Sequence, residues 1–241
     1  MHIDEIKTPT LTELFTAQLR EKILSGEMKA GDRLPPERDM AKRAGVSQSI
    51  VHQSVIHLRN VGLLEVRPRK GTFVADYLRT GTASTIKELF EHSGIPMSQE
   101  TVEPIMSFRR GIEVPAVKLS CLNRTQKDLD RMEGILQGMG QEQSATEFGQ
   151  AFFSFFHEAA LASGNPYYPL IINTFGDIYR MFSAYSVRNG QSSIERMRLD
   201  LEEILQAIKD KDVELADRLV NLEIDRWISS FEKSYNAIRS K

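Results

Sequence analysis

The sequence predicts a mainly α protein: a three-helix block closed by a β-hairpin, then a larger all-helical bundle. Three observations carry this. Apolar residues recur every three or four positions along most of the chain. The one early interruption is a pair of short strand-like runs between residues 64 and 74. Beyond it, turn-forming residues divide the chain into helical stretches with no alternating strand pattern of useful length. The expected boundaries are 8–76 for the first domain, 77–83 for a linker and 84–236 for the second domain.

Leu11, Phe15, Leu19 and Ile23 form one stripe of a first helix, opened by Pro9 or Thr10 and closed by Ser25-Gly26. Pro36 suits the first position of a short second helix, with Glu37 and Asp39 in its favourable first turn. Gly45 supplies a tight turn, and Ser47 is a good cap for a third helix over 48–60. Val51, Val55 and Leu58 point inward from that helix, while Gln48, Ser49, His52 and Gln53 stay outside. Leu64-Glu-Val66 and Thr72-Phe-Val74 read as strands around Pro68-Arg-Lys-Gly71, a turn with basic residues at its tip. Helix, short helix, turn, helix and hairpin is the winged helix-turn-helix order, whose third helix suits a DNA major groove.

Residues 76–84 hold little to bury and read as the linker. Helices are expected over 84–92, 99–120, 125–138, 144–163, 167–188, 192–210 and 212–236, divided by Gly94-Ile-Pro96, Gly138/Gly140 and Ser163-Gly-Asn-Pro166. Phe148, Phe152, Phe153, Phe155 and Phe156 load one helix with aromatics, as expected of a helix buried on more than one side.

Composition narrows the function. A single cysteine, Cys121, excludes an internal disulfide and a cysteine zinc site, so the expected compartment is the cytoplasm. The first residues lack the basic and apolar regions of a signal peptide, and no apolar run is long enough to suggest a membrane span. Net charge is −2, yet residues 1–78 carry 12 Lys and Arg against 10 Asp and Glu, and residues 79–241 carry 19 against 23. The local excess at Arg59, Arg67, Arg69 and Lys70 is what a phosphate backbone senses. No nucleotide-binding glycine motif and no nucleophile–base constellation is present, which argues against an enzyme.

Residues 31–74 resemble the DNA-binding domain of the GntR family of bacterial regulators. The resemblance rests on Gly31-Asp-Arg-Leu-Pro-Pro-Glu-Arg-Asp-Met-Ala-Lys-Arg-Ala-Gly-Val-Ser47 and Leu58-Arg-Asn-Val-Gly-Leu-Leu-Glu-Val-Arg-Pro-Arg-Lys-Gly-Thr-Phe-Val74. It implies DNA contacts from Arg38, Ser47, Gln48, Ser49, His52, Arg69 and Lys70, with Gly71 in a wing tip entering the minor groove. Gln48 and His52 stand where the family usually has arginines; glutamine pairs with adenine where arginine favours guanine.

The second region resembles the helical effector domain (FCD type) of the FadR branch, through Phe108-Arg-Arg-Gly-Ile-Glu113, Phe156-His-Glu-Ala-Ala-Leu-Ala-Ser-Gly-Asn-Pro166 and Ile204-Leu-Gln-Ala-Ile-Lys-Asp-Lys-Asp212. This implies a homodimer that binds operator DNA and a small acidic effector in the bundle. Many members hold a divalent metal there with one Asp and three His. The matching positions are Phe153, His157, Leu201 and Glu223, so no metal cofactor is expected. The branch also contains metal-free regulators of long-chain acyl-CoA. By that resemblance Arg109, Tyr179 and Trp227, with His157 and Glu223, are the effector-binding candidates. The expected function is a regulator released from its operator by a long-chain acyl-CoA or fatty acid. The alternative is the same regulator sensing a small organic or sugar acid, with or without a metal.

Overall fold

Helix α1 (Leu11–Leu24) starts at a reciprocal cap. The Thr10 hydroxyl accepts the Glu13 N–H at 3.2 Å, and the Glu13 carboxylate accepts the Thr10 N–H at 2.7 Å. Phe15, Leu19 and Ile23 enter the core as the stripe predicts, whereas Leu11, in the first turn, stays 57% exposed. Helix α2 (Glu37–Ala44) ends at Gly45, whose φ of 68° is the left-handed conformation a side chain resists. Pro36 takes the capping position before α2, with ψ 139°, one place earlier than the sequence suggests. Helix α3 (Gln48–Asn60) is capped by the Ser47 side chain and buries Val51, Val55 and Leu58. The buried hydroxyls of Thr16 and Ser54, 2.8 Å apart, tie α1 to α3.

Strands β1 (Leu64–Arg67) and β2 (Gly71–Val74) pair antiparallel, Leu64 opposite Val74 and Arg67 opposite Gly71. The Lys70 N–H closes the turn on the Arg67 carbonyl at 3.0 Å. Pro68 takes the second turn position, and Arg69 takes the third with φ 61°. That position normally goes to glycine, so Arg69 carries roughly 1–2 kcal/mol of backbone strain. The turn leaves Arg69 and Lys70 exposed at its tip.

The structure, a computed structural model, describes residues 9–92, 99–140, 143–177, 179, 180, 183, 187 and 194–239. It divides into two compact units, Met1–Ile95 and Pro96–Lys241. The expected linker contains one helical turn, α4 (Tyr77–Thr80), and runs directly into α5 (Ala83–His92). Helix α5, assigned by sequence to the second domain, is anchored in the first unit. The reason is a buried carboxylate: Glu88 accepts from Arg20 of α1 at 2.8 Å and meets His57 of α3 at 3.2 Å. Thr85 also lies so close to Gly62 that a Cβ there would stand 2.7 Å from its hydroxyl.

The second unit is helical throughout its described residues: α6 (Gln99–Asn123), α7 (Gln126–Gln137), α8 (Ala145–Ala162), α9 (Tyr167–Thr174), α10 (Ile194–Asp210) and α11 (Val213–Arg239). Helix α6 packs against α8, α10 and α11. The aromatic load of α8 is core: Phe148, Phe152, Phe155 and Phe156 are almost wholly buried. The helix expected over 167–188 breaks at Phe175, where the backbone turns (φ −104°) and the ring meets Phe108 edge-on at 4.6 Å. Residues 176, 177, 179 and 180 are helical again. This second piece presses its backbone on α8 at Gly149, where a Cβ would lie 2.5 Å from the Arg180 carbonyl oxygen.

Two glycine substitutions test this packing. Gly134 is an exposed helical position with nothing within 4 Å of a built Cβ. Gly134→Ala should stabilise the protein by about 0.5–1 kcal/mol. Gly149→Ala should destabilise it by about 1–3 kcal/mol, because backbone has to yield. Denaturant unfolding curves of the two variants should move in opposite directions.

Candidate DNA-reading surface and effector site

On the first unit, Gln48, Ser49 and His52 are exposed along α3, as are Ser47 at its cap and Arg38 on α2. The sequence places these on the outside, and they are there. The contact it does not reveal is between His52 and Glu37. The Nδ1 of His52 lies 3.1 and 3.2 Å from the two Glu37 carboxylate oxygens. The Nδ1–H of His52 can donate to Glu37, which orients the ring on the exposed face of α3. In the wing, the Arg67 guanidinium lies 4.3 Å from the centre of the Phe73 ring. Gly71 is required by its φ of 115° and by Arg33, whose Nε would stand 3.0 Å from a Cβ there. Arg33, whose backbone bridges to Phe73, thus lies beside the wing.

On the second unit, the five effector candidates do not share one environment. Arg109, Tyr179, Glu223 and Trp227 are buried, and His157 is half-buried. Arg109 of α6 is the hub. Its Nε and Nη2 donate to the two oxygens of Glu113 at 2.6 and 3.0 Å, and Nη2 also reaches Glu223 of α11 at 3.3 Å. Its guanidinium carbon lies 5.5, 5.8 and 5.1 Å from the ring centres of Phe152, Phe156 and Tyr179. Rings at these distances attract the cation, the more so when water is excluded. Trp227 lies farther along α11, stacked on Phe231 with centroids 5.8 Å apart. His157 stacks on Phe153 at 5.7 Å, and its buried Nε2 has no hydrogen-bond partner among the described residues.

Burial is the largest influence on each of these groups. It opposes the charge on Arg109, but Glu113 and Glu223 overcome it and hold the guanidinium firmly protonated. Tyr179 is pushed well above the ordinary phenol range by burial and then by Glu113. Burial raises the Glu223 carboxyl from 4.5 to about 7; Arg109 works against this, while Glu113 and Asp200 add to it. Desolvation lowers His157, so its ring is neutral near pH 7.

Sequence reading missed Glu113, although its four-residue spacing from Arg109 on one helix was a usable signal. It also missed Asp200 of α10, which is paired with Arg196 and with Arg226 of α11. The four-residue spacing of Arg196 and Asp200 was equally visible, but Arg226 lies 26 residues from Asp200, too far for a local pattern to join them.

The metal set of the family does not fit these residues. Phe153 and Leu201 are buried hydrocarbons with no lone pair to offer, and Glu223 is engaged by Arg109. Among the described residues no group of three His, Cys, Asp or Glu side chains converges on one point.

Two family profiles match. "Bacterial regulatory proteins, gntR family" covers residues 11–74, and "FCD domain" covers residues 104–226. The chain belongs to the GntR family. It is a transcriptional regulator with a DNA-binding helix-turn-helix and an effector-binding domain of the FCD type. Among GntR relatives, the HTH-type transcriptional regulator LutR of Bacillus subtilis (strain 168) is 25% identical, covering 77% of this chain and 85% of its own. The fatty acid metabolism regulator protein of Proteus mirabilis (strain HI4320) is also 25% identical, covering 71% of this chain and 70% of its own. A solved structure titled "Lar controls the expression of the Listeria monocytogenes agr system and mediates virulence" shares the fold. Its TM-score is 0.59 at 18% identity, covering 95% of this chain and 99% of that one. Among the described residues no helix is long and apolar enough to cross a membrane.

The raised Glu223 carboxyl makes a pH-dependent contribution to stability with a definite sign. Between 4.5 and about 7 the folded protein keeps a proton that the unfolded chain loses. The contribution of Glu223 is therefore complete below 4.5, declines as pH rises to about 7 and is level above it. Chemical unfolding of wild type and Glu223→Gln over this range should give a stability difference that changes across the window and is constant above it.

Proposed function

We propose that the protein binds a two-fold operator as a homodimer, one recognition helix per half-site, and leaves it when an acidic effector enters the helical domain. The observation that carries the effector is Arg109. Its guanidinium is buried among Phe152, Phe156 and Tyr179, a cation in an apolar wall. That combination suits an amphiphile with an anionic head and an apolar body. A long-chain fatty acid or acyl-CoA has this form, and several relatives at 22–25% identity are named fatty acid metabolism regulators. Trp227 and the phenyl rings of α8 would take the chain. A second reading, a small organic or sugar acid, is favoured by Arg109 itself, whose guanidinium pairs with any carboxylate whether or not an apolar chain is attached. The proposal requires no metal in either case.

On DNA, Gln48, Ser49 and His52 read bases. Arg38, Ser47, Arg69 and Lys70 engage backbone, with Gly71 letting the wing approach closely. A lone winged helix offers a small reading surface, so pairing gains both affinity and specificity. Gln48→Ala or His52→Ala should change which sequences are selected from a random duplex pool. Lys70→Ala should weaken all duplexes together and lower the salt dependence by about one unit of slope. A selection that returns no preferred sequence would reject the assignment.

For release, the effector has to prefer the DNA-free conformation. A hundred-fold loss of operator affinity corresponds to about 2.7 kcal/mol of coupling, and operator weakens effector binding by the same factor. Titrating dodecanoyl-CoA, free coenzyme A and dodecanoate against the protein, with and without operator, measures both directions. Unchanged operator affinity with every probe rejects these effectors. Arg109→Lys, which keeps the buried charge and loses the planar fork, should weaken effector binding while leaving duplex selection intact.

A further inference from the structure

An arginine presents five N–H groups, and its paired terminal nitrogens form the fork that a carboxylate grips with both oxygens. In Arg109 the fork edge is the more loosely held, although the Tyr179 hydroxyl also bonds the guanidinium. Glu113 takes the other edge, through Nε and Nη2. On the fork edge, Glu223 makes one long contact to Nη2 at 3.3 Å, and Nη1 faces the Met106 sulfur, a weak acceptor, at 3.5 Å. Arg109 is 4% exposed, Glu113 is 0% and Glu223 is 3%. Two ionised carboxylates on one guanidinium would leave a buried negative charge inside a shell of rings. A third anion arriving at Arg109 would raise that net charge to two, which such surroundings strongly disfavour.

Resting on the acidic-effector reading above, we propose that Glu223 is the resident occupant of the effector's seat on Arg109. An anionic head group binds there by displacing Glu223, which takes up one proton as it lets go. The exchange conserves charge: one anion and one proton enter together, and the cluster stays as charged as before. The neutral Glu223 carboxyl then offers an O–H to the incoming anion in place of a repelling charge. Burial prepares this step, since it already holds Glu223 at about 7.

The groups facing Glu223 leave it as the proton's destination. From α6 it meets Arg109, which remains charged, and Glu113, which stays paired with Arg109. From α10 it feels Asp200, whose charge is balanced by Arg196 and by Arg226 of its own helix. Tyr179 remains a neutral phenol, and His157 is held below its ordinary value, so neither takes a proton above pH 7. Glu223 is therefore a specificity-determining residue as well as a lining one. It rejects anions at high pH and admits them as it protonates.

The test is calorimetric titration of the full chain with dodecanoate, dodecanoyl-CoA and free coenzyme A. Titrations at pH 6, 7 and 8, each in two buffers of different ionisation heat, give affinity and proton uptake together. For wild type, uptake should be small at pH 6 and approach one proton per site at pH 8, with affinity about fivefold weaker at pH 8 than at pH 7. Glu223→Gln, which keeps the shape and loses the charge, should bind without uptake and equally well at pH 7 and pH 8. Dodecanoate showing the linkage assigns the seat to a carboxylate; only the coenzyme A probes showing it assigns the seat to phosphate. Binding by wild type at pH 8 with no uptake overturns the inference and leaves the acidic-effector reading standing. So does uptake that survives in Glu223→Gln. If no probe binds either protein at any pH, the fatty-acid and acyl-CoA reading falls, and this inference, which is stated for those head groups, falls with it.

Discussion

The second unit is organised around one buried cation. Arg109 sits at the middle of α6 and gathers Glu113 from its own helix, Glu223 from α11, rings from α8 and the Tyr179 ring from the segment after Phe175. A guanidinium out of water needs compensating charge, and removing one partner from such a pair costs about 3–5 kcal/mol. The surrounding helices are thus constrained to present partners at fixed depths. This explains several neighbouring choices that look unrelated in the chain. Gly149 lets the Tyr179 segment approach, Gly176 makes room for Phe153, and Asp200 joins Arg226 of α11 to α10.

The same cation sets the chemistry available in the domain. A metal site draws its positive charge from an ion held by carboxylate and imidazole donors. Here two of the four family positions are hydrocarbon, and the charge beside Glu223 is the guanidinium of Arg109. An arginine cannot leave as an ion can, so the cation is a permanent part of the domain.

The first unit solves a different problem, which is to hold polar groups outward on a small core. Thr16 and Ser54 fix α1 to α3 through buried hydroxyls, so the outer face of α3 carries little structural burden. Glu37 holds His52, and the strained Arg69 turn displays basic side chains at the wing tip. Strain of this kind persists only where the surrounding structure fixes it, and here the Lys70 N–H to Arg67 carbonyl bond and the paired strands on either side do so.

The sequence by itself determined the elements whose signals are local. Apolar spacing, the Ser47 cap, the Gly45 turn and the alternation around residues 64–74 place α1, α2, α3 and the wing, because each depends on residues within a turn or two. Helical spacing likewise gave the helices of the second unit, apart from the break at Phe175, which depends on where that ring is buried. Tertiary structure alone decided the rest. Glu88 draws α5 into the first unit across 68 residues to Arg20, and Glu223 meets Arg109 across 114. Charge pairing in a dry interior is set by distance in space, and periodicity along the chain carries no record of it. The Arg109–Glu113 pair marks the border between the two. Its spacing was visible in the sequence, but that it is buried and shared with Glu223 was not.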